Sequence, residues 1–348
     1  MHKSVALIVT LIASATSAFQ VAAADKEPKT KAHPVAEETA QGARKLLWED
    51  PVNIASRDLY YGARGKEDMP GAGTVFTFEK EDLDGTNPKY RVRDDKGTKW
   101  KVKLGDEAKP EPVASRIVWA AGYFVDENYF LPKIRVENIP ADLKRGRKLI
   151  GPDGTMTGVR LKLESKKDRK KIGTWDWKTS PFAGTRELNG LRVMMALINN
   201  WDLKDVNNGV FEVKGSNGPE MIYEVTDLGA SFGSPRFDTD YAHDKGDLKA
   251  YRKSAFIENI RDSEVDFGVP GKPSLPVIFN PAQFVKRQDL TWIGKHIPRA
   301  DARWVGELLS KLSANQIEDA FRAGGYTAQE ANEFTTIVQA RIAQLRQL

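Results

Sequence analysis

Cysteine is missing from this sequence altogether, and histidine stands at only four positions, His2, His33, His243 and His296. The first absence excludes disulfides, thiolate metal sites, a lipid-bearing N-terminal cysteine and cysteine nucleophiles. The second leaves almost nothing for a zinc cluster or a Ser/His/Asp triad, so zinc chemistry and triad hydrolysis are weak readings. No period of the solenoid or propeller kind recurs. Charge of one sign is not in marked excess either: 53 basic and 48 acidic residues are spread along the chain, without the basic stripe that would imply nucleic acid. Beyond the first residues no apolar run is long enough to cross a membrane.

What is present is ordinary globular usage, 40% hydrophobic and 29% charged over 348 residues, enough for one large or two medium domains. The opening is different in kind. A short basic start, Met1-His2-Lys3, leads into an apolar stretch from Val5 to Ala18, and Ala22-Ala23-Ala24 offers an A-x-A cleavage site before Asp25. Residues 1–24 therefore read as an export signal, which implies a periplasmic or secreted protein with no transmembrane segment after cleavage. An uncleaved anchor is the alternative, but Ser, Thr and Gln interrupt the run and it is short for a bilayer span. Residues 25–45 are polar, proline-containing and without periodicity, as in a disordered linker.

From residue 46 to about 104 the pattern is β. "GTVFTFEK" alternates, and "KYRVRDDKGTKWKVKL" is two alternating runs about the turn Asp95-Lys96-Gly97. After Pro110, Val113, Ala114, Ile117, Val118 and Ala121 recur at helical spacing, with Gly122 as a stop. "ENYFLPKIRVENI" returns to strand character, and Pro132 suggests an edge. Residues 140–180 are highly charged and read as a solvated hairpin or insertion, with an anion-binding face as the alternative. Leu188, Leu191, Met195 and Ile198 then form one helical stripe. Past residue 300, Ser313-x-x-Gln316 and Thr327-x-x-Glu330 fit capping boxes on either side of Gly324-Gly325, which predicts a helical bundle over 300–348 with Phe334, Ile337, Ile342 and Leu345 in its core.

The stretch "NNWDLKDVNNGVFEV", residues 199–213, strings acids, a lysine and asparagines between a helical run and a strand-like one. Asp202-Leu203-Lys204-Asp205-Val206-Asn207 fits D-L-x-x-x-N, the second half of the protein-kinase catalytic loop, and "MIYEVTDLG" runs a strand into Asp227-Leu228-Gly229, similar to the kinase metal-binding turn. Upstream, "KWKVKLG" resembles the strand whose lysine reaches the nucleotide phosphates, with Lys103 at the matching position and Glu111 at the start of the following helix. The chain thus resembles the protein kinase-like superfamily in its divergent branch, the HipA-type toxin kinases, phosphoinositide kinases and secretory-pathway kinases. The motifs span roughly residues 55–235. Departures are the Asn200-Trp201 pair in place of His-Arg, the lack of a plain G-x-G-x-x-G or Ala-Pro-Glu, and a short spacing from Lys103 to Glu111.

That resemblance implies a bilobal α+β fold, with a β-rich N-lobe over 46–135 carrying one helix and a mostly helical C-lobe over 136–348. It also implies transfer of a phosphoryl group from a Mg-nucleotide, ATP or another NTP, to a hydroxyl acceptor on a protein, lipid or sugar. Asp202 would orient or deprotonate the acceptor and Lys204 would face the transferred phosphate. Lys103 would hold the α/β-phosphates and Glu111 would position it, with Gly62 and Gly65 of "YYGARGKED" as the loop that covers the phosphates, and Asn207 and Asp227 would bind Mg²⁺. Plainer readings stand beside these. Asp202 and Asn207 also suit helix caps, Asp227-Leu228-Gly229 a strand-ending turn, Lys101 and Lys103 a solvated strand face, and Glu111 an ordinary first-turn acid. Export into an ATP-poor compartment favours an alternative, a catalytically inactive pseudokinase acting as a binding or scaffold module. Eight tryptophans allow a third, a sugar- or polymer-binding module of the cell envelope. Exported material is expected to begin at or near Asp25, and an intact mass that retains residues 1–24 would contradict the export reading.

Overall fold

Tyr90 and Val92 alternate with charged residues along strand β3 (Lys89–Arg93), as do Trp100 and Val102 along β4 (Lys99–Lys103), and all four are at most 2% exposed. One face of this hairpin is core and the other is charged. Asp94 closes its turn, accepting hydrogen bonds from Lys96 N (3.0 Å), Thr98 N (2.7 Å) and Trp100 Nε1 (2.9 Å), while Gly97 takes φ +83°. In this computed structural model, residues 35, 42–85, 87–164, 169–216, 218–234, 245–270 and 290–348 are described. The leader, most of the linker and His243 lie outside them.

The hairpin belongs to a closed barrel in the order β2-β3-β4-β6-β5, with β2 at Val75–Asp82, β5 at Asn128–Glu137 and β6 at Thr155–Leu163. Parallel pairing of Val75–Thr77 with Arg135–Glu137 closes it. Pro132 therefore does not mark an edge strand. It sits ahead of the stretch that pairs with β2, where its missing N–H costs no ladder bond on that side. The reading of residues 140–180 as a solvated insertion is corrected in the same way. β6 is a barrel strand between β4 and β5, so the β-lobe runs on to Leu163 rather than stopping at 135.

Helix α1 (Pro110–Ala120) leaves the barrel and packs at the junction with the second lobe. It is bracketed there: Trp48 Nε1 donates to Ala121 O at 2.7 Å, and Gln316 Nε2 reaches Ile54 O and Arg57 O at 3.0 and 2.9 Å. Structure begins earlier than the linker reading allowed, because β1 (Arg44–Leu46) pairs in parallel with β9 (Gly218–Val225), in a sheet ordered β1-β9-β8-β7 with β8 at Asn208–Gly215 and β7 at Arg169–Gly173.

Helix α2 (Arg186–Leu197) is buried over Leu188–Leu197, capped by Thr185 Oγ1 accepting from Leu188 N. Next come α3 (Leu248–Lys253), a small sheet of β10 (Ile257–Ile260), β11 (Glu264–Phe267) and β12 (Ile297–Pro298), and the helices α4 (Arg299–Leu309), α5 (Ala314–Ala323) and α6 (Ala328–Gln347). Both expected capping boxes are formed. Phe334, Ile342 and Leu345 of the predicted α6 stripe are buried and Ile337 is half-buried. Phe334 stacks on Phe321 at 4.7 Å with an 8° interplanar angle. Arg341 reaches from α6 to Leu197 O at 3.0 Å and Tyr251 O at 3.1 Å, tying the last helix to the end of α2. Phe334→Ala should lower unfolding free energy by about 3–5 kcal/mol, the usual cost of emptying a buried aromatic site, checked by chemical denaturation.

Candidate active site at the lobe junction

β4 ends on Lys103, and Gly105 at φ +95° turns the chain at once into a short 3-10 turn, Asp106–Ala108, and then α1. This tight reversal answers the spacing problem, since it sets two acids beside the lysine within eight residues. Lys103 Nζ lies 2.8 Å from Glu107 Oε2, 2.8 Å from Glu111 Oε2 and 2.7 Å from Asp227 Oδ1. The outer atoms of the acids have partners of their own: Arg160 lies 3.1 Å from Glu111 Oε1, and Lys245 pairs with Glu107 Oε1. Three cations and three carboxylates thus interlock, and Lys103 is 3% exposed.

Burial alone would lower the Lys103 ammonium, but Asp227, Glu107 and Glu111 outweigh it and raise it well above the ordinary lysine range. Burial likewise pushes the Glu107 and Asp227 carboxyls up, and Lys103 reverses both, so each is held below the usual carboxylate range.

The second half of the site comes from the loop after α2. Leu203 packs into the core at 2% exposed, while Asp202 and Lys204 on either side of it face the cleft, which the 6% exposed Trp201 also lines. Trp177 Nε1 holds Leu203 O at 3.0 Å, and Asn200 Oδ1 accepts from Asp202 N at 2.9 Å. Lys204 Nζ lies 3.0 Å from Asp202 Oδ1. Asn207 donates through Nδ2 to Asp202 O at 2.7 Å, which leaves its amide oxygen as the atom available to a metal.

The antiparallel pairing of β8 with β9 then acts as a ruler. Asn208 is opposite Val225, and Thr226 N donates to Asn207 O at 2.8 Å, so Asp227 arrives next to the loop it left. Asp227 has φ +56°. Leu228 is buried, and Gly229 passes so close to the 3-10 turn that a Cβ on it would lie 2.6 Å from Glu107 Cβ.

Lys103, Glu111, Asp202, Lys204, Asn207 and Asp227 all line one cleft of about 300 Å³ between barrel and helical lobe. Gly62 and Gly65 do not. They form left-handed turns at φ +75° and +72° in a segment behind α1, with Gly62 against the Arg116 side chain and Gly65 O accepting from Tyr129 OH at 3.1 Å. The loop that overhangs the cleft is instead the β2–β3 connection, which supplies Asp82, Asp84, Gly85 and Asn87. Sequence reasoning also missed Glu107, Arg160 and Lys245. Glu107 had a signal, an acid four residues after Lys103. Arg160 is the cross-strand partner of Lys103 and emerges only once β6 is known to pair with β4.

A β-barrel lobe whose last hairpin strand gives a lysine paired to a helix-borne glutamate, set over a loop-hairpin-aspartate unit, decides the architecture. It is the arrangement that the resemblance to protein kinase-like chains implies. No protein-family model and no curated protein matches the chain in sequence. Among solved structures it is similar to the Helicobacter pylori proinflammatory kinase CtkA, at 12% identity over 79% of this chain and 97% of that one, with a TM-score of 0.41. It is also similar to the Golgi casein kinase, at 11% identity over 80% and 73% of the two chains and a TM-score of 0.32. A structure of the Golgi casein kinase with Mn/ADP bound gives 10%, 81%, 73% and 0.34.

Replacing Lys103 by Met leaves three carboxylates facing one another, and loss of one partner from a buried charged cluster costs about 3–5 kcal/mol. Wild-type Glu107 and Asp227 have lowered values, so their stabilisation is present above the ordinary carboxylate range and is lost as pH falls through the native values. The variant has the opposite dependence, because protonation relieves its repulsion. The gap in melting temperature between wild type and Lys103→Met should therefore be widest near neutrality and narrow toward about pH 4. A gap that is constant with pH would contradict the cluster's electrostatic role.

Proposed function

We propose that this chain transfers the terminal phosphoryl group of a metal-bound nucleoside triphosphate, ATP or another NTP, to a hydroxyl acceptor. The observation that carries the reading is the convergence in one cleft of Lys103, at 2.7 Å from Asp227 and 2.8 Å from Glu111, with Asp202, Lys204 and Asn207. In that reaction the bond from the terminal phosphorus to its bridging oxygen breaks, a bond to the acceptor oxygen forms, the acceptor proton passes to Asp202, and the diphosphate departs. Lys103 neutralises the donor phosphates, with Glu111 fixing its ammonium. Lys204 offsets charge on the group in transit, and Asp202 orients the incoming hydroxyl.

The donor set suits a hard divalent cation. Carboxylate oxygens of Glu107, Glu111 and Asp227 lie within 4.8 Å of one another, and Asn207 adds an amide oxygen. Asp227 and Asn207 would hold Mg²⁺, which when bound supplies charge neutralisation on the phosphates. The basic start, apolar run and A-x-A pattern of residues 1–24 support, as part of this proposal, a site of action outside the cytoplasm, periplasmic or secreted.

Asp227→Ala is expected to abolish metal-dependent thermal stabilisation by ATP, whereas Asp202→Asn should keep that stabilisation and lose transfer. At ligand one hundred times its dissociation constant the stabilisation amounts to about 2.7 kcal/mol, visible as a melting shift. No shift with any common NTP and metal would end the phosphoryl-transfer reading. A shift without transfer to protein, lipid or sugar acceptors, unchanged in Asp202→Asn, would make the chain a pseudokinase scaffold instead.

A further inference from the structure

The barrel side of the cleft carries a row of cations, of which Lys101 lies 3.6 Å from Asp82 and Lys162 pairs with Asp126. On that face, cross-strand register sets Lys89 beside Lys103, Lys103 beside Arg160 and Lys101 beside Lys162, and all five line the cleft. Like charges directly opposite on paired strands destabilise a sheet, so this face is not one that packing alone would select. Lys101 shows the crowding: burial first, then Lys162, lower its ammonium.

Past Lys101 and Lys162 the cleft opens into a second cavity of about 370 Å³, where Arg169 and Lys171 join them. Its carboxylates are already engaged, Asp126 by Lys162, Glu164 by Arg91 at 2.8 Å and Glu127 by Arg64 at 3.5 Å. Lys89 and Lys171, one at each end of the row, have no salt-bridge partner among the described residues. The apolar lining is Leu163 and Phe211, and the Arg169 guanidinium already covers the Phe211 ring at 3.5 Å from its centroid. A nucleobase stacks between apolar or aromatic faces, and the aromatic rings lining the two cavities are Trp201, next to Asp202, and Phe211, already covered by Arg169, which do not make a pair of facing walls beside the cation row. A row of ammonium groups spaced along two connected cavities suits instead a ligand that repeats its negative charge.

Resting on the phosphoryl-transfer reading above, we propose that the cleft recognises a chain of phosphates longer than three, with Lys101, Lys162 and Lys171 holding phosphates beyond those at Lys103. The donor class is a linear polyphosphate, free or capped by a nucleoside that makes little contact of its own.

Titration calorimetry of the full chain with Mg²⁺ tests this, using inorganic tripolyphosphate, ATP, GTP, adenosine pentaphosphate and inorganic pentapolyphosphate. Tripolyphosphate should bind within about threefold of ATP and GTP, and the five-phosphate chains about tenfold or more tighter than tripolyphosphate. Lys101→Gln/Lys171→Gln should remove most of that chain-length advantage and leave tripolyphosphate affinity nearly unchanged, while Lys311→Gln, outside the cleft, should alter neither. Equal affinity of the capped and free five-phosphate chains identifies the inorganic chain as the source, and tighter binding of the capped one identifies a nucleotide. ATP binding more than about tenfold tighter than tripolyphosphate, no gain with chain length, or an equal loss in Lys311→Gln would overturn the proposal. The first of these leaves the kinase reading standing, whereas absence of binding by every triphosphate and chain removes both.

Discussion

The ammonium of Lys103 is the constraint on which the rest of the site depends. A buried cation without partners is costly by many kcal/mol, and three carboxylates brought within hydrogen-bond reach of one another repel. Together they are stable only as a set, and the set comes from β4, the 3-10 turn after it, α1 and the turn after β9, with Arg160 of β6 and Lys245 completing the charge balance. No element of that group can shift without exposing an unpaired charge. The relative placement of the two lobes at this point is therefore an electrostatic requirement as much as a packing one.

Packing supplies what the ion cluster cannot. α1 must present Glu111 to the barrel, and its C-terminal end is held by Trp48, in a segment that Gln316 of α5 ties down through Ile54 O and Arg57 O. On the other side of the cleft, burial of Trp201 and Leu203 anchors the extended loop that presents Asp202 and Lys204. The β8–β9 hairpin converts sequence distance into proximity, returning the chain to Asn207 by way of Thr226. Gly229 then allows a close approach to Glu107. Each device is modest, and together they bring hard oxygen donors and ammonium groups into one cleft, in a chain whose lack of cysteine and scarcity of histidine leave other metal chemistries without ligands.

Much of this was legible in the residues. Asp202-Leu203-x-x-x-Asn207, Asp227-x-Gly229 and the Lys103 strand are local patterns whose chemistry depends on short-range order, and the helix carrying Glu111 announces itself by periodicity. The capping boxes at Ser313 and Thr327 were equally plain, since a cap is a contact over three residues. The glycines at 62 and 65, expected in a phosphate-covering loop, sit in left-handed turns away from the cleft. Positive φ says that a chain reverses, not what lies on the other side, and Gly85 in the β2–β3 loop carries the same signature. Residues 140–180 misled for a related reason: β6 shows lysine and arginine on the face that lines a charged cleft, and that pattern is the same as for a face in solvent.

By itself, then, the sequence determined that a β-rich part precedes a more helical one and which residues form the local motifs now found at the cleft, because periodicity and short spacing are properties of the chain alone. Only the tertiary structure decided that Arg160 and Lys245 complete the Lys103 cluster, that Glu107 stands beside Glu111, and that the barrel side of the cleft carries a row of cations. Those facts follow from strand register and from which elements meet across the cleft, and a charged side chain acquires its meaning from whichever charges folding places within a few ångströms of it.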